Sequence, residues 1–387
     1  MTGSLVDLSK EFKNGYKWDD FTSSTEETDS SGGLWGGFSH LDLSLDGEVI
    51  ALGSTNLPGE GGFRGYTPAG ELQIYKLAEN QLTKIGTPIK GERGRDTLTW
   101  EGIVDVNEQI GAQFSLSGNG EVLAVIGRGA NNPSTGEKDD ARISIYEISD
   151  KRWSKTATIW SSDYVNITEP LDIELNYDGD LIYITNANVG TSVDVFINNS
   201  NNWHKFTHSQ GESYDFSYDF KNNTHPVNSS EIEISGDGKI LAIKGSSHPS
   251  SYHGTRLNGV KVYRIENPNI SAIGSKDFGF ELDFKELGQT IDSLYFDKYG
   301  SAPYSTTEDS NYFSGWQTDF ALSNDGNRLA ISETGLSGYG IAETTRIFQL
   351  ENDNWVEMNY KDQISYSNSL SFSSDGEILI SGNIAYK

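Results

Sequence analysis

Repetition predicts an all-β fold, and three observations carry the prediction. One phrase recurs six times: two apolar residues around a single residue, then a polar residue, then an Asp-Gly or Asn-Gly turn and a second apolar run. The copies are Leu41-Asp-Leu-Ser-Leu-Asp46-Gly47, Phe114-Ser-Leu-Ser-Gly-Asn119-Gly120, Ile173-Glu-Leu-Asn-Tyr-Asp178-Gly179, Ile232-Glu-Ile-Ser-Gly-Asp237-Gly238, Phe320-Ala-Leu-Ser-Asn-Asp325-Gly326 and Leu370-Ser-Phe-Ser-Ser-Asp375-Gly376. The first five copies are each followed by an apolar–aromatic pair: Ile74-Tyr75, Ile145-Tyr146, Val195-Phe196, Val262-Tyr263 and Ile347-Phe348. Seven residues after each aromatic stands a large apolar residue, namely Leu82, Trp153, Trp203, Ile270 and Trp355. Finally, the chain carries 42 glycines in 387 residues and no long helical pattern, as turn-rich β proteins do.

Alternation up to Asp-Gly, followed by another apolar run, is the strongest short-range hairpin signal in a sequence. The constant seven-residue spacing adds a second hairpin with a short polar tip, such as Glu351-Asn-Asp-Asn354. Two hairpins make a four-stranded antiparallel unit, and such units in series make a β-propeller.

The sixth copy is read as stopping after its first hairpin, at Lys387. Leu5-Val-Asp-Leu8 and Tyr16-Lys-Trp18 are read as its missing second hairpin, so that residues 1–21 would supply closing strands and hide a sheet edge. The expectation is a single propeller domain over 1–387, with six four-stranded blades. The longest gap, from Asp237 to Asp325, admits a degenerate seventh blade within 275–315. It is read instead as a long insertion over 274–316.

Composition narrows function. Against 29 basic residues stand 56 acidic ones, a formal charge of −27, which opposes nucleic-acid backbones and anionic membranes. With 35% hydrophobic and 11% aromatic residues the chain can build a large core. There is no cysteine, so disulfides, thiolate metal sites and cysteine nucleophiles are excluded. No signal-peptide pattern opens the sequence, and no apolar run approaches the roughly 20 residues that span a bilayer.

In a propeller the Asp-Gly turns and second-hairpin tips share one face. The other connections lie on the opposite face, and these are the long, variable segments: 53–70, 86–110, 127–140, 207–229, 245–258, 274–316 and 333–343. Binding residues sit on loops carried by a rigid scaffold, so the loop-rich face is the functional candidate. It holds Phe63 and Tyr66, the Arg93-Gly-Arg95-Asp96 cluster, and the duplication Ser213-Tyr-Asp-Phe-Ser-Tyr-Asp-Phe220 with Tyr214 and Tyr218. The insertion adds Tyr299, Tyr304, Tyr312 and Trp316. Exposed Tyr and Trp suit protein or glycan contacts, and paired arginines suit an anion. The competing reading makes the aromatics small cores of the loops themselves and the arginines a local charge balance.

No chemistry-bearing constellation stands out. Glu174, Asn176, Asp178 and Asp180 place oxygen side chains at alternate positions before and after a glycine, faintly like a calcium loop, but the other repeats lack the set. No cofactor is expected, with calcium at these four residues the one alternative. His204 and His208 have the i, i+4 spacing of a helical zinc site, yet they fall where a strand would hold them roughly 13 Å apart. Gly59-Glu-Gly-Gly-Phe-Arg-Gly65 fails the phosphate-loop fingerprint. A Gly-x-Ser-x-Gly elbow and a Ser-x-Asp-x-Gly-x-x-Trp turn are both absent. Sequons at Asn166, Asn198, Asn222, Asn228 and Asn269 fit chance in so Asn-, Ser- and Thr-rich a chain.

Ser323-Asn-Asp325-Gly326-Asn-Arg-Leu-Ala-Ile331 resembles the repeats of TolB-type bacterial propellers, and Arg346-Ile-Phe-Gln-Leu-Glu-Asn-Asp-Asn-Trp355 is similar to integrin-like (FG-GAP-like) marine microbial surface propellers. The resemblance implies the fold over essentially the whole chain; function does not follow from a fold. The expectation is therefore a non-enzymatic binding or structural module. It would be a virion protein (phage tail or capsid-decorating) or an extracellular surface protein that docks to neighbouring subunits or a host-surface protein or glycan. A secreted lectin or adhesin and a glycan-active propeller enzyme are the alternatives.

Overall fold

The computed structural model describes residues 5–6, 40–54, 70–78, 81–91, 96–99, 102–105, 110–111, 113–130, 140–160, 170–186, 192–199, 202–206, 214–215, 227–247, 258–266, 282–292, 317–333, 344–358, 370–381 and 384–386. Every regular element among them is a β-strand. The chain divides into two compact units, one of Met1–Lys13, Thr185–Asp194 and Phe206–Lys387, the other of Asn14–Ile184 and Val195–Lys205.

The strands are numbered from β1 (Leu5–Val6). The first sheet runs β2 (His40–Leu43), β3 (Val49–Ser54), β4 (Glu71–Ala78), β5 (Gln81–Lys84), with β6 (Ile89–Lys90) also on β4. A separate hairpin joins β7 (Asp96–Thr99) to β8 (Gly102–Asp105). The second sheet runs β9 (Phe114–Leu116), β10 (Val122–Ala130), β11 (Asp140–Ser149), β12 (Arg152–Trp160). In the third, β13 (Pro170–Leu175), β14 (Leu181–Asn186), β15 (Ser192–Asn199) and β16 (Asn202–Phe206) follow one another, and β17 (Tyr214–Asp215) pairs with β15.

The fourth sheet repeats the pattern with β18 (Val227–Ile234), β19 (Ile240–Ser247), β20 (Asn258–Glu266) and β21 (Asp283–Glu286), β22 (Ile291–Asp292) lying on β20. The fifth is β23 (Gln317–Leu322), β24 (Arg328–Glu333), β25 (Thr344–Glu351), β26 (Asn354–Glu357). The last orders β27 (Leu370–Phe372), β28 (Leu379–Ser381), β29 (Ile384–Tyr386) and then β1, through Leu5↔Tyr386 and Val6↔Ala385. The first five are up-and-down antiparallel meanders, and the last is a three-strand meander to which β1 adds antiparallel.

The repeated phrase builds its turn identically almost everywhere. In the first sheet Ser44 Oγ accepts from Val49 N at 2.9 Å and donates to Asp46 Oδ1 at 2.6 Å, which also accepts Glu48 N at 2.9 Å. Ser117, Ser235, Ser323 and Ser373 repeat the arrangement. The turn glycines sit at φ from +68° to +72°, a region that a side chain disfavours. Close approach is a second reason for glycine. A Cβ on Gly120, Gly179 or Gly326 would come within 2.7 Å of Val49, Val122 or Ile240, the first residue or so of the second strand in the preceding sheet.

Cores lie between sheets rather than within them. Leu72, Ile74, Ile85 and Ile89 of the first sheet close on Leu116, Leu123 and Val125 of the second, with Trp153 packed alongside. Val260, Val262, Leu287 and Ile291 of the fourth close on Phe320, Leu329, Phe348 and Trp355 of the fifth. Further cores join the second to the third sheet and the fifth to the last. Burying each such side chain contributes about 1.5–3 kcal/mol.

Three expectations need correction. The C-terminal segment does not stop after one hairpin: Ile384-Ala-Tyr386 is a third strand, and the described N-terminal contribution is β1 alone, residues 7–21 lying outside the described residues. The seven-residue spacing holds where Trp153 faces Ile148 and Trp355 faces Leu350, but not in the fourth sheet. There Glu266 pairs with Asp283, so a long connection replaces the tight tip and Ile270 falls outside the described residues. The proposed insertion at 274–316 is consequently in part sheet, since β21 and β22 lie inside it.

Candidate functional site

Because strands alternate in direction, the Asp-Gly turns and the second-hairpin tips share one end of each sheet, and the second-to-third connections leave from the other. Of the residues expected to bind at that loop-bearing end, Phe63, Tyr66, Arg93, Arg95, Tyr218, Tyr299, Tyr304, Tyr312 and Trp316 lie outside the described residues. Tyr214 belongs to β17, where it pairs with Val193.

The described residues place a set of buried polar and charged side chains at this end. Two positions before each repeat aromatic stands a buried polar residue: Gln73, Ser144, Asp194, Lys261 and Arg346. Their partners differ from sheet to sheet. Gln73 Nε2 donates to Glu71 Oε1 at 2.7 Å, and Tyr75 Oη donates to Gln73 Oε1 at 2.6 Å. Lys261 pairs with Glu286 at 3.1 Å. Arg346 Nη2 donates to Glu333 Oε1 at 2.7 Å and to the Asp292 carbonyl at 2.5 Å, with both charged side chains only 4% exposed. The signal was visible in the strings Lys261-Val-Tyr263 and Arg346-Ile-Phe348, where alternation assigns the polar residue to the same side as the aromatic.

On the first two strands of the fourth sheet and the first strand of the fifth, Glu231, Lys244 and Asp319 form a mixed-charge group. Lys244 stands directly opposite Glu231 in the β18–β19 register and is ion-paired with it, its ammonium 5.9 Å from the Phe320 ring centre. Asp319 Oδ2 accepts the Leu370 N–H at 2.6 Å. Burial pushes the Asp319 carboxyl up to about 6, against the Leu370 hydrogen bond; Glu231 raises it further, and Lys244 opposes the rise. A carboxyl that exchanges its proton near neutrality beside an ammonium is chemically competent for acid–base work. In the other unit Asp42 accepts Leu116 N at 2.6 Å and Leu43 N at 2.7 Å, and burial holds it at about 6 as well.

Two of the four calcium candidates, Asn176 and Asp180, serve the turn. Asn176 Oδ1 accepts Asp180 N at 3.0 Å and Leu181 N at 2.9 Å, while its Nδ2 donates to Asp180 Oδ1 at 2.7 Å. Asn176 thus takes the serine's place, with Asp180 replacing the turn aspartate. Glu174 Oε2 accepts Ser115 Oγ at 3.4 Å on the inner strand. Among the described residues no three His, Asp or Glu side chains converge on one point. His204 is part of β16, in extended backbone, and His208 lies outside the described residues.

A scan against protein-family models finds no match, and a search of curated proteins finds none. Among solved structures the chain is similar to the periplasmic gluconolactonase PpgL of Pseudomonas aeruginosa, at 14% identity and a TM-score of 0.46 over 90% of this chain and 78% of that one. It is also similar to the β-propeller domain of Cps50 (Swd1) from Myceliophteria thermophila, at 9% identity and a TM-score of 0.42 over 90% and 95%. TolB from Acinetobacter baumannii matches at 11% identity and a TM-score of 0.39 over 85% and 56%. The strand order of the chain itself, six antiparallel sheets built on four strands each, is that of β-propeller blades. These likenesses carry no functional argument, and the functional reading rests on the chain's own residues.

Proposed function

We propose that this chain is a non-catalytic binding module: a ring of six blades, the last completed by β1, that docks through its loop-bearing face. Its favoured setting is a virion or extracellular surface, and its favoured partner a neighbouring structural subunit or a host-surface protein. The observation that carries the reading is the asymmetry between the two ends of the sheets. The Asp-Gly turns are short, alike and internally hydrogen-bonded, whereas four of the six opposite connections run long, from Ser54 to Glu71, Ala130 to Asp140, Ser247 to Asn258 and Glu333 to Thr344, the short ones being Asn186 to Ser192 and Ser381 to Ile384. A scaffold needs no such lengths, and binding sites are built on them. Pairing of β1 with β29 supports completion of the last blade by the N-terminal strand.

The test is co-purification from the native particle or surface, with Tyr304→Ala and Trp316→Ala expected to release the chain from its partner without altering its circular dichroism. Recovery of the native chain free and monomeric would overturn it. Binding on a glycan array that both substitutions abolish would turn the reading to a lectin or adhesin.

The Asp319, Glu231 and Lys244 group favours one other reading, an enzyme acting on glycans. Turnover of aryl-glycosides that Asp319→Asn abolishes would replace the binding module by that enzyme.

A further inference from the structure

The turn end of the unit built on the first three sheets carries a second candidate surface, unrelated to the loop-bearing face. One position after each turn serine or asparagine stands a residue near the inner edge of the sheet. In this unit those residues are Leu45, Gly118 and Tyr177. A Cβ on Gly118 would lie 2.6 Å from Leu45 Cδ1 and 2.6 Å from Tyr177 Cδ2, so the two side chains close over the glycine from either side. Tyr177 remains 39% exposed. The fold does not require apolar residues here. The corresponding residues of the other unit are Gly236, Asn324 and Ser374, where Asn324 Nδ2 donates to the Ser374 carbonyl at 3.3 Å.

Around this apolar spot the same turns set Asp46, Glu48, Glu121, Asp178 and Asp180, the first four exposed. Asp178 is spared from the turn because Asn176 and Asp180 do its usual work, and nothing among the described residues holds its carboxylate. Against these acids stands Lys76, paired with Glu48 at 3.0 Å. Lys151 and Arg152 belong to the outer hairpin tip, two strands away from the inner turns. In the other unit the turn acids are matched locally, Asp237 by Lys239 at 3.2 Å and Glu377 by Arg328 at 3.0 Å.

The geometry points to a docking surface for a basic protein segment that carries one apolar anchor, the anchor seated on Leu45 and Tyr177 and its flanking lysines or arginines on the acidic rim. An apolar centre with a charged rim is the anatomy of a protein contact, and the uncompensated sign selects a cationic partner.

The test uses the intact chain and two fluorescent peptides of equal charge, one of alternating lysine and leucine, the other with each leucine replaced by glycine. Anisotropy titrations are expected to give about tenfold tighter binding of the leucine peptide. Tyr177→Ser should abolish that preference, and Asp178→Asn with Glu121→Gln should weaken both peptides and reduce the salt dependence. Ser374→Asp, which adds an acid to the other unit, should change neither. Equal binding of the two peptides, or a leucine preference that survives Tyr177→Ser, overturns the proposal and leaves only the general attraction of an acidic protein for a polycation. Tyr177→Ser is read only where its melting matches the parent; should it fail to fold, Tyr177→Phe, which keeps the apolar ring, must retain the preference, and its loss overturns the proposal.

Discussion

The second sheet docks on the first, and the fifth on the fourth, through the same joint, and the two copies are finished differently. In both, an [Ile/Leu]-Gly-x-x-Ile segment, Ile85-Gly86 to Ile89 or Leu287-Gly288 to Ile291, receives a tryptophan from the next sheet's outer hairpin. That hairpin turns through two left-handed residues, Asp150 and Lys151 in one and Asn352 and Asp353 in the other. In the later copy Trp355 Nε1 donates to the Leu287 carbonyl at 3.0 Å, Gln289 Nε2 donates to the Trp355 carbonyl at 2.7 Å, and Arg346 reaches Asp292. In the earlier copy Trp153 Nε1 and Ser144 Oγ are buried and have no hydrogen-bond partner among the described residues. Apolar shape alone therefore suffices to form the joint. The polar groups tie the later copy to one register, at the risk of a large loss if one partner goes.

The largest expected effect tests that risk. Arg346→Met leaves Glu333 buried without its cation, and should cost about 3–5 kcal/mol. Ser144→Ala at the equivalent position removes only an orphaned hydroxyl and should be neutral or slightly stabilising. Urea titrations followed by tryptophan fluorescence would show the two together; equal losses would mean that the joints do not differ in this way.

Acidity gives the next contrast. Asp42 titrates at about 6 in the folded chain against an ordinary 3.8, chiefly through burial. Between those values the folded state holds more protons than the unfolded one, so stability falls as pH rises from 4 to 6 and the deficit persists above 6. For a carboxyl so placed the deficit is on the order of 3 kcal/mol. Asp42→Asn should raise stability at pH 7.5 and leave it unchanged at pH 4. Asp319→Asn should gain by a comparable amount, because burial also pushes its carboxyl up to about 6 and the Glu231 repulsion it sheds outweighs the Lys244 attraction it loses. Thermal melting of both variants across pH 4–7.5 checks this.

Much of the joint was legible before any coordinates. The Asp-Gly phrase marks each turn, and the aromatic with a tryptophan seven residues on fixes three of the outer hairpins. The paired Gly-x-x-Ile segments are equally readable in the sequence, but they lie beyond the seven-residue spacing, which ends at Leu82 and Ile270. Gly382-Asn383 before Ile384-Ala-Tyr386 is likewise a two-residue hairpin signal. What sequence could not supply is contact between sheets. Nothing in Leu41-Asp-Leu43 announces that Asp42 will hold the amide of Leu116 in another repeat, since that depends on how two finished sheets meet. The same holds for Glu231, Lys244 and Asp319, whose proximity is a property of packing and not of spacing.

The smallest effects lie at the tryptophans themselves and decide whether hydrogen bonding or shape dominates. Trp355→Phe forfeits the bond to Leu287 and leaves that carbonyl unpaired, an expected loss of about 1–3 kcal/mol with the change in volume included. Trp153→Phe loses similar volume but also removes a buried N–H that has no acceptor, so the two changes partly cancel and the net loss should fall below about 1 kcal/mol. Denaturant midpoints for the pair measure the difference directly. If Trp153→Phe proves the more costly, packing against Ile85 and Ile89 outweighs the unpaired N–H, and the polar finish of the later joint adds specificity of register rather than stability.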